Sequence, residues 1–156
     1  MRFAMDVSDS FIENYVSTCF SLDSVIHGYF EDDCLRGVSE LRSVGDFSRG
    51  DAEAAFSIEP DWRGRSIGTE LMRHTLRSAR NRRVRRLYMN CLATNKVMQR
   101  LARRFKAELE FDAGDVVARV VPDRATPLTL FKEAWADGFG LAAALMQLQR
   151  MWLRAA

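Results

Sequence analysis

The chain has 156 residues, enough for one domain with a buried core, and its 47% hydrophobic and 28% charged residues are ordinary for a globular protein. The longest apolar-leaning run, FGLAAALMQLQRMWL, carries an arginine and two glutamines and is too short to span a bilayer, and MRFAMDVSDS lacks the apolar segment of a secretory leader. The net charge is only +2, and three cysteines (Cys19, Cys34, Cys91) without metal-ligand spacing read as reduced thiols of a cytoplasmic protein.

In chain order, SDSFIENYVSTCF opens with Ser8 or Asp9 as an N-cap, and Phe11, Tyr15 and Val16 follow at helical spacing. SVIHGYFED and CLRGVSELRSV alternate loosely and predict a hairpin through Asp32 and Asp33. RGDAEAAFSIEP is a third strand, stopped by Pro60, which has no N–H for a ladder. From Ser66 to about Arg80, Ile67, Leu71, Met72, Thr75, Leu76 and Ala79 recur on one helical face, with an arginine-rich opposite side. RRLYMNCLA follows as a strand, then a helix from about Asn95 carrying Val97, Met98, Leu101 and Phe105. AELEF and DVVARVV form a closing hairpin around Ala113 and Gly114.

After Pro122, Thr126 as N-cap and Pro127 at the first helical position start another helix, broken at Gly138 and Gly140. A second helix resumes with LAAALMQLQRMWL. Phe131, Trp135, Phe139, Leu145 and Trp152 are too much apolar surface to leave in water, so this tail caps the sheet or joins subunits as a homodimer. The expected organisation is a mixed α/β domain over residues 1–122 and a helical extension over 123–156.

Two features carry chemistry. Between Trp62 and Lys106 stand fourteen Lys or Arg against one acid, Glu70, leaving nine basic and twenty acidic residues elsewhere. Such a concentration indicates an anionic partner or a solvated basic face. Within it, EPDWRGRSIGTELM carries a strand through a glycine-containing turn into a helix. That sequence is either a plain turn or a phosphate cradle, because free N–H groups and the helix dipole converge there and glycine admits close approach. It lacks both the Walker ending and the third glycine of a dinucleotide fingerprint.

The stretch DWRGRSIGTELM resembles the acyl-CoA-binding motif of the GNAT superfamily of N-acetyltransferases, Gln/Arg-x-x-Gly-x-Gly/Ala, with Arg63 first, Ser66 at the first glycine and Gly68 at the last. The preceding strand, the following strand and NKVMQRLARRF match the family's order, over roughly Val25 to Val121. The resemblance implies a mostly antiparallel sheet with splayed central strands, an abbreviated N-terminus, and acetyl-CoA as co-substrate with no metal. It implies pantetheine contacts from the backbone of Phe56, Ser57 and Ile58. It makes Arg63 and Gly64 cofactor-binding residues of the motif, places the pyrophosphate on Arg65, Ser66, Ile67, Gly68 and Thr69, and puts Asn95 on the other side of the arm. It also attributes the basic surplus to the negative charges of coenzyme A.

Glu53, in DAEAAFSIEP, alternates onto one strand face with Ala55 and Ser57, and its apolar neighbours imply incomplete solvation. In the protein-lysine acetyltransferase branch a glutamate stands at the matching place, so Glu53 is either a general base or a surface residue at a strand entrance. Many family members carry a tyrosine as acid where this chain has Ala102. His27 and His74 lack a partner pattern, and Cys34 and Cys91 read as core thiols more readily than nucleophiles. The leading expectation is acetyl transfer to a primary amine, a small molecule or a protein lysine. The alternatives are a non-catalytic acyl-CoA-binding module and nucleic-acid binding through residues 73–106. The last is least expected, because aromatic interleaving is poor and no nucleic-acid-binding signature is present.

Overall fold

The structure, a computed structural model, describes residues 24–45, 50–136 and 138, together with residues 8, 10, 11, 13 and 14. Two compact units divide the chain, Met1–Arg124 and Ala125–Ala156.

The first unit is built on a six-stranded sheet of β1 (Ser24–Glu31), β2 (Cys34–Ser43), β3 (Asp51–Ile58), β4 (Arg86–Leu92), β5 (Glu108–Asp112) and β6 (Asp115–Val120), in the order β1-β2-β3-β4-β6-β5. Helix α1 (Ile67–Asn81) connects β3 to β4, and α2 (Lys96–Arg104) connects β4 to β5. Every neighbouring pair is antiparallel except β3 and β4. This is the expected mixed α/β class. The first hairpin turns at Asp32 and Asp33, with φ of 50° and 60°, a left-handed geometry that aspartate tolerates better than most residues.

The apolar periodicity of α1 becomes packing. Ile67, Leu71, Met72, Thr75 and Ala79 are buried, and they face Ala52, Ala54, Leu87 and Met89 of the sheet. The Thr75 hydroxyl donates to the Leu71 carbonyl and lies 2.9 Å from the Ser39 hydroxyl, joining α1 to β2. Met98, Leu101 and Phe105 of the α2 region pack on the same core, so both helices cover one face. Glu53, Tyr88, Asn90 and Arg119 alternate onto the opposite face.

Residues 10, 11, 13 and 14 are helical, and the Ser8 hydroxyl accepts from the Phe11 N–H at 3.3 Å, the role of an N-cap. Tyr15 and Val16 lie outside the described residues. In the second unit residues 127–136 are helical, with the Thr126 hydroxyl accepting from the Thr129 N–H at 3.2 Å. Gly138, expected to break that helix, is itself helical; a glycine costs about 1 kcal/mol there, too little to end a helix alone. Gly140 and the expected second helix lie outside the described residues. No helix among the described residues is long and apolar enough to cross a membrane.

Candidate active site

The parallel pairing of β3 and β4 is short. Only Asp51 with Arg86, Ala52 with Leu87 and Glu53 with Tyr88 are in register, and beyond them the strands part. The Glu59 N–H donates to Arg36 and the Asp51 carbonyl accepts from Val44, so the odd-numbered residues of β3 bond to β2. Phe56 therefore turns its backbone N–H and C=O, and Ile58 its N–H, into the gap. Ser57, expected to contribute likewise, directs its backbone groups to β2 through its pairing with Val38. On the other side the Ala93 N–H bonds to Gly114, which aims the backbone of Asn90 and the N–H of Leu92 into the same gap. A wedge results whose edges carry backbone polar groups beyond the ladder, with the Ile58 carbonyl already bonded by Arg63 and the Leu92 carbonyl by the Asn95 N–H, and it suits an extended amide-bearing ligand.

The turn closes one end of this wedge. Gly64 has φ 78° and open space where a side chain would stand. Ser66 is the N-cap of α1 with φ 65°, left-handed, and its side chain makes no capping hydrogen bond. The serine thus keeps the backbone shape that glycine adopts freely, at a cost of about 1 kcal/mol. The Ser66 carbonyl accepts from the N–H groups of Thr69 (3.0 Å) and Glu70 (3.1 Å). Thr69 has therefore spent its donor, whereas Ser66, Ile67 and Gly68 head the helix with N–H groups that helical geometry leaves without an intrahelical acceptor. Gly68 allows this turn to sit on β3: a Cβ there would lie 3.2 Å from Ile58 Cδ1 and 3.6 Å from Leu101 Cδ2.

The two arginines of the turn differ. Arg63 folds back, its Nε donating to the Ile58 carbonyl at 3.1 Å, and so pins the turn to the end of β3. Arg65 is exposed and lies over the Trp62 ring at 4.5 Å, and Arg36 lies over the same ring at 4.9 Å. Stacking of this kind fixes a guanidinium plane and leaves its N–H fork available to an anion. Arg36 is held in place by Glu59 at 3.0 Å, and that hydrogen bond raises its proton affinity further. Trp62 and Arg36 were missed by sequence reasoning. Their place beside the motif was a weak signal, because a tryptophan in a turn reads first as packing.

At the vertex of the wedge, Glu53 accepts from the Asn90 side-chain amide at 3.2 Å. The expectation of incomplete solvation fails here, since Glu53 is exposed on the face opposite the helices. Its apolar neighbours Ala52 and Ala54 point to the other side of the strand. Asn90 also escaped notice, although a polar side chain alternating with Leu87, Met89 and Cys91 was a usable signal. Asn95 lies across the wedge from the turn's strand, as the N-cap of α2, its Oδ1 accepting from the Met98 N–H at 3.0 Å. Ala102 is fully buried in the core, so α2 offers no acidic side chain from that position. Cys91 is half-buried on the parted stretch of β4, where burial and then Asp115 raise its thiol above the ordinary range. His27 stacks near His74, with ring centroids 5.6 Å apart, away from the wedge on β1 and α1.

The basic surplus does not gather at the turn. Arg80, Arg82, Arg83, Arg85, Arg86, Arg103, Arg104 and Lys106 stand at the C-terminal ends of the two helices and the start of β4. The length of α1, about 22 Å, separates most of them from Ser66. These cations therefore stand apart from the turn on which the resemblance places the pyrophosphate of coenzyme A. Among the described residues, no group of three or more His, Cys, Asp or Glu could hold a metal ion.

Comparisons agree with this geometry. The structure is similar to the GNAT domain of S. lividans PAT, with TM-score 0.61 and 19% identity over 74% of this chain and 69% of that one. It is similar to the ribosomal-protein-S18-alanine N-acetyltransferase of Escherichia coli, with TM-score 0.64 and 13% identity over 80% of this chain and 83% of that one. It is also similar to yncA of Salmonella typhimurium, solved with its cofactor acetyl-CoA, with TM-score 0.62 and 16% identity over 81% of this chain and 82% of that one. No curated protein matches the chain in sequence. Residues 5–106 match the acetyltransferase (GNAT) family, and with that match and the parted strands above its turn, the chain belongs to the GNAT family of acetyltransferases.

Proposed function

We propose that the protein transfers an acetyl group from acetyl-CoA to a primary amine, a small molecule or a protein lysine, with Glu53 as general base. The observation that carries the reading is the wedge between β3 and β4, with Glu53 at its vertex and the Ser66 turn at its open end. Acetyl-CoA supplies the activated thioester. The chain's residues fit it: the backbone of Phe56 and the N–H of Ile58 offer the arm a strand edge, and the N–H groups of Ser66, Ile67 and Gly68 with Arg65 offer donors to the pyrophosphate.

The acceptor approaches from the face opposite α1 and α2, where Glu53 and Asn90 meet. Glu53 takes the proton lost as the amine nitrogen bonds the acetyl carbon and the carbon–sulfur bond breaks. Asn90 holds one carboxylate oxygen and leaves the other to face the amine. Docking of the acceptor then excludes water from a carboxylate that is exposed in the free protein. A homodimer in the cytoplasm remains the expected setting.

The test combines calorimetric titration with a thiol-release assay. Acetyl-CoA is expected to bind at micromolar affinity, and Arg65→Ala to weaken binding about 10- to 100-fold, the worth of one charge-assisted hydrogen-bonding group. Glu53→Gln is expected to retain binding and lose turnover about 100-fold or more. Full turnover in Glu53→Gln would remove Glu53 from the role. Binding without turnover across amines and peptides in the unaltered protein would instead establish the non-catalytic acyl-CoA module, a reading that the buried Ala102 favours.

A further inference from the structure

Helices α1 and α2 end in the same way. At the end of α1 the Arg83 N–H bonds to Arg80 (3.0 Å) and the Val84 N–H to Ala79 (2.9 Å). At the end of α2 the Lys106 N–H bonds to Arg103 (2.9 Å) and the Ala107 N–H to Ala102 (3.1 Å). These are two Schellman closures, and in each the left-handed position, usually glycine, holds a cation: Arg83 at φ 59° and Lys106 at φ 60°. The residues that follow are anchored, Val84 being buried and Ala107 packing against the same core, so both caps are fixed at one pole of the unit. The strained backbone is kept at both ends, although glycine would relieve it.

The surroundings of the two caps share this charge. Arg83, Arg85, Arg103, Arg104 and Lys106 are all exposed and carry no ion pair among the described residues. By contrast Arg80 and Arg86 nearby are committed to Asp123 and Asp51. The helix dipoles do not account for all of this, because Arg80, Arg103 and Arg104 already occupy the last turns.

We propose that this pole binds the phosphate backbone of a nucleic acid, at a site separate from the Ser66 turn. An acidic protein partner fits less well. A protein interface needs apolar or aromatic anchors at its centre, and residues 77–86 and 100–106 contribute no large exposed apolar side chain. Nucleic-acid interfaces are polar and strongly positive. Without stacking residues on these segments, recognition is of the backbone and independent of sequence.

The test is fluorescence anisotropy of the full chain with a labelled single-stranded RNA of about 16 nucleotides, from about 50 to 200 mM salt. If the five unpaired cations each neutralise one phosphate, the logarithm of affinity falls with the logarithm of salt with a slope of about −3.5. Arg83→Gly with Lys106→Gly is expected to reduce that slope by about 1.4 without lowering Tm, since glycine suits both left-handed positions. Weaker binding would then not reflect unfolding. Saturating acetyl-CoA is expected to leave RNA affinity unchanged, which separates this site from the turn whatever the chemistry there. The proposal fails if no RNA binds at the lowest salt, if the double variant keeps the full slope, if acetyl-CoA displaces the RNA, or if polyglutamate of matched charge binds as tightly.

Discussion

Ser66 holds a left-handed backbone that its Cβ disfavours, and its hydroxyl gives no capping bond to compensate. Ser66→Gly would recover about 1 kcal/mol of that strain, and the extra freedom of the unfolded chain would offset about half of it. Thermal unfolding should therefore show Tm raised by about 1–2 °C, with acetyl-CoA affinity retained or improved as a Cβ leaves the ligand's path. A fall in Tm would mean that the serine makes a contact the geometry does not reveal. The motif residues were legible in the sequence because glycines, arginines and a helix start are local signals. The exposure of Glu53 was not, because it depends on which side of β3 the core lies, and that follows from where α1 returns onto the sheet. The partner of Glu53, Asn90, belongs to a strand that comes close only after α1 has crossed over.

At the level of elements, caps and turns made boundaries legible: Pro60 ends a strand, Asn95 starts α2 and Thr126 with Pro127 starts the helix over 127–136. Asn95 has two assignments, as a cap and, by resemblance, as a contact to the arm. Its Oδ1 is engaged by the Met98 N–H at 3.0 Å, so Asn95→Ala should cost about 1 kcal/mol and lower Tm by about 2–4 °C without ligand. If the Asn95 amide also touches acetyl-CoA, affinity will fall with it, whereas Asn95→Ser keeps a capping oxygen and loses the amide donor without adding charge. An unchanged Tm in Asn95→Ala would show that the α2 terminus is held by packing alone. What stayed illegible at this scale was the location of the charge. The polar stripe of α1 looked uniform in sequence, yet its N-terminal end faces the turn and its C-terminal end belongs to a different pole, about 22 Å away.

Across the whole molecule, the sheet consists of two antiparallel parts joined by three parallel pairs and by the Arg86–Asp51 ion pair at 2.6 Å. Cys91 reports on this junction because it sits on the parted stretch of β4. Burial raises its thiol, so alkylation of Cys91 should lag behind that of exposed Cys34 and keep accelerating with pH beyond the point where an ordinary cysteine levels off. Acetyl-CoA should slow it further by filling the wedge, as peptide-resolved mass spectrometry would show. Equal labelling with and without ligand would place the arm elsewhere. The short junction also governs how the chain assembles. The pairs β1–β2, β2–β3 and β5–β6 close over short connections, whereas β4 reaches both of its neighbours only across a helix, α1 on the way from β3 and α2 with β5 on the way to β6, which makes the placing of β4 the topologically costly step of folding. The opening that admits a substrate is therefore bounded by the strand that the chain has most difficulty in placing.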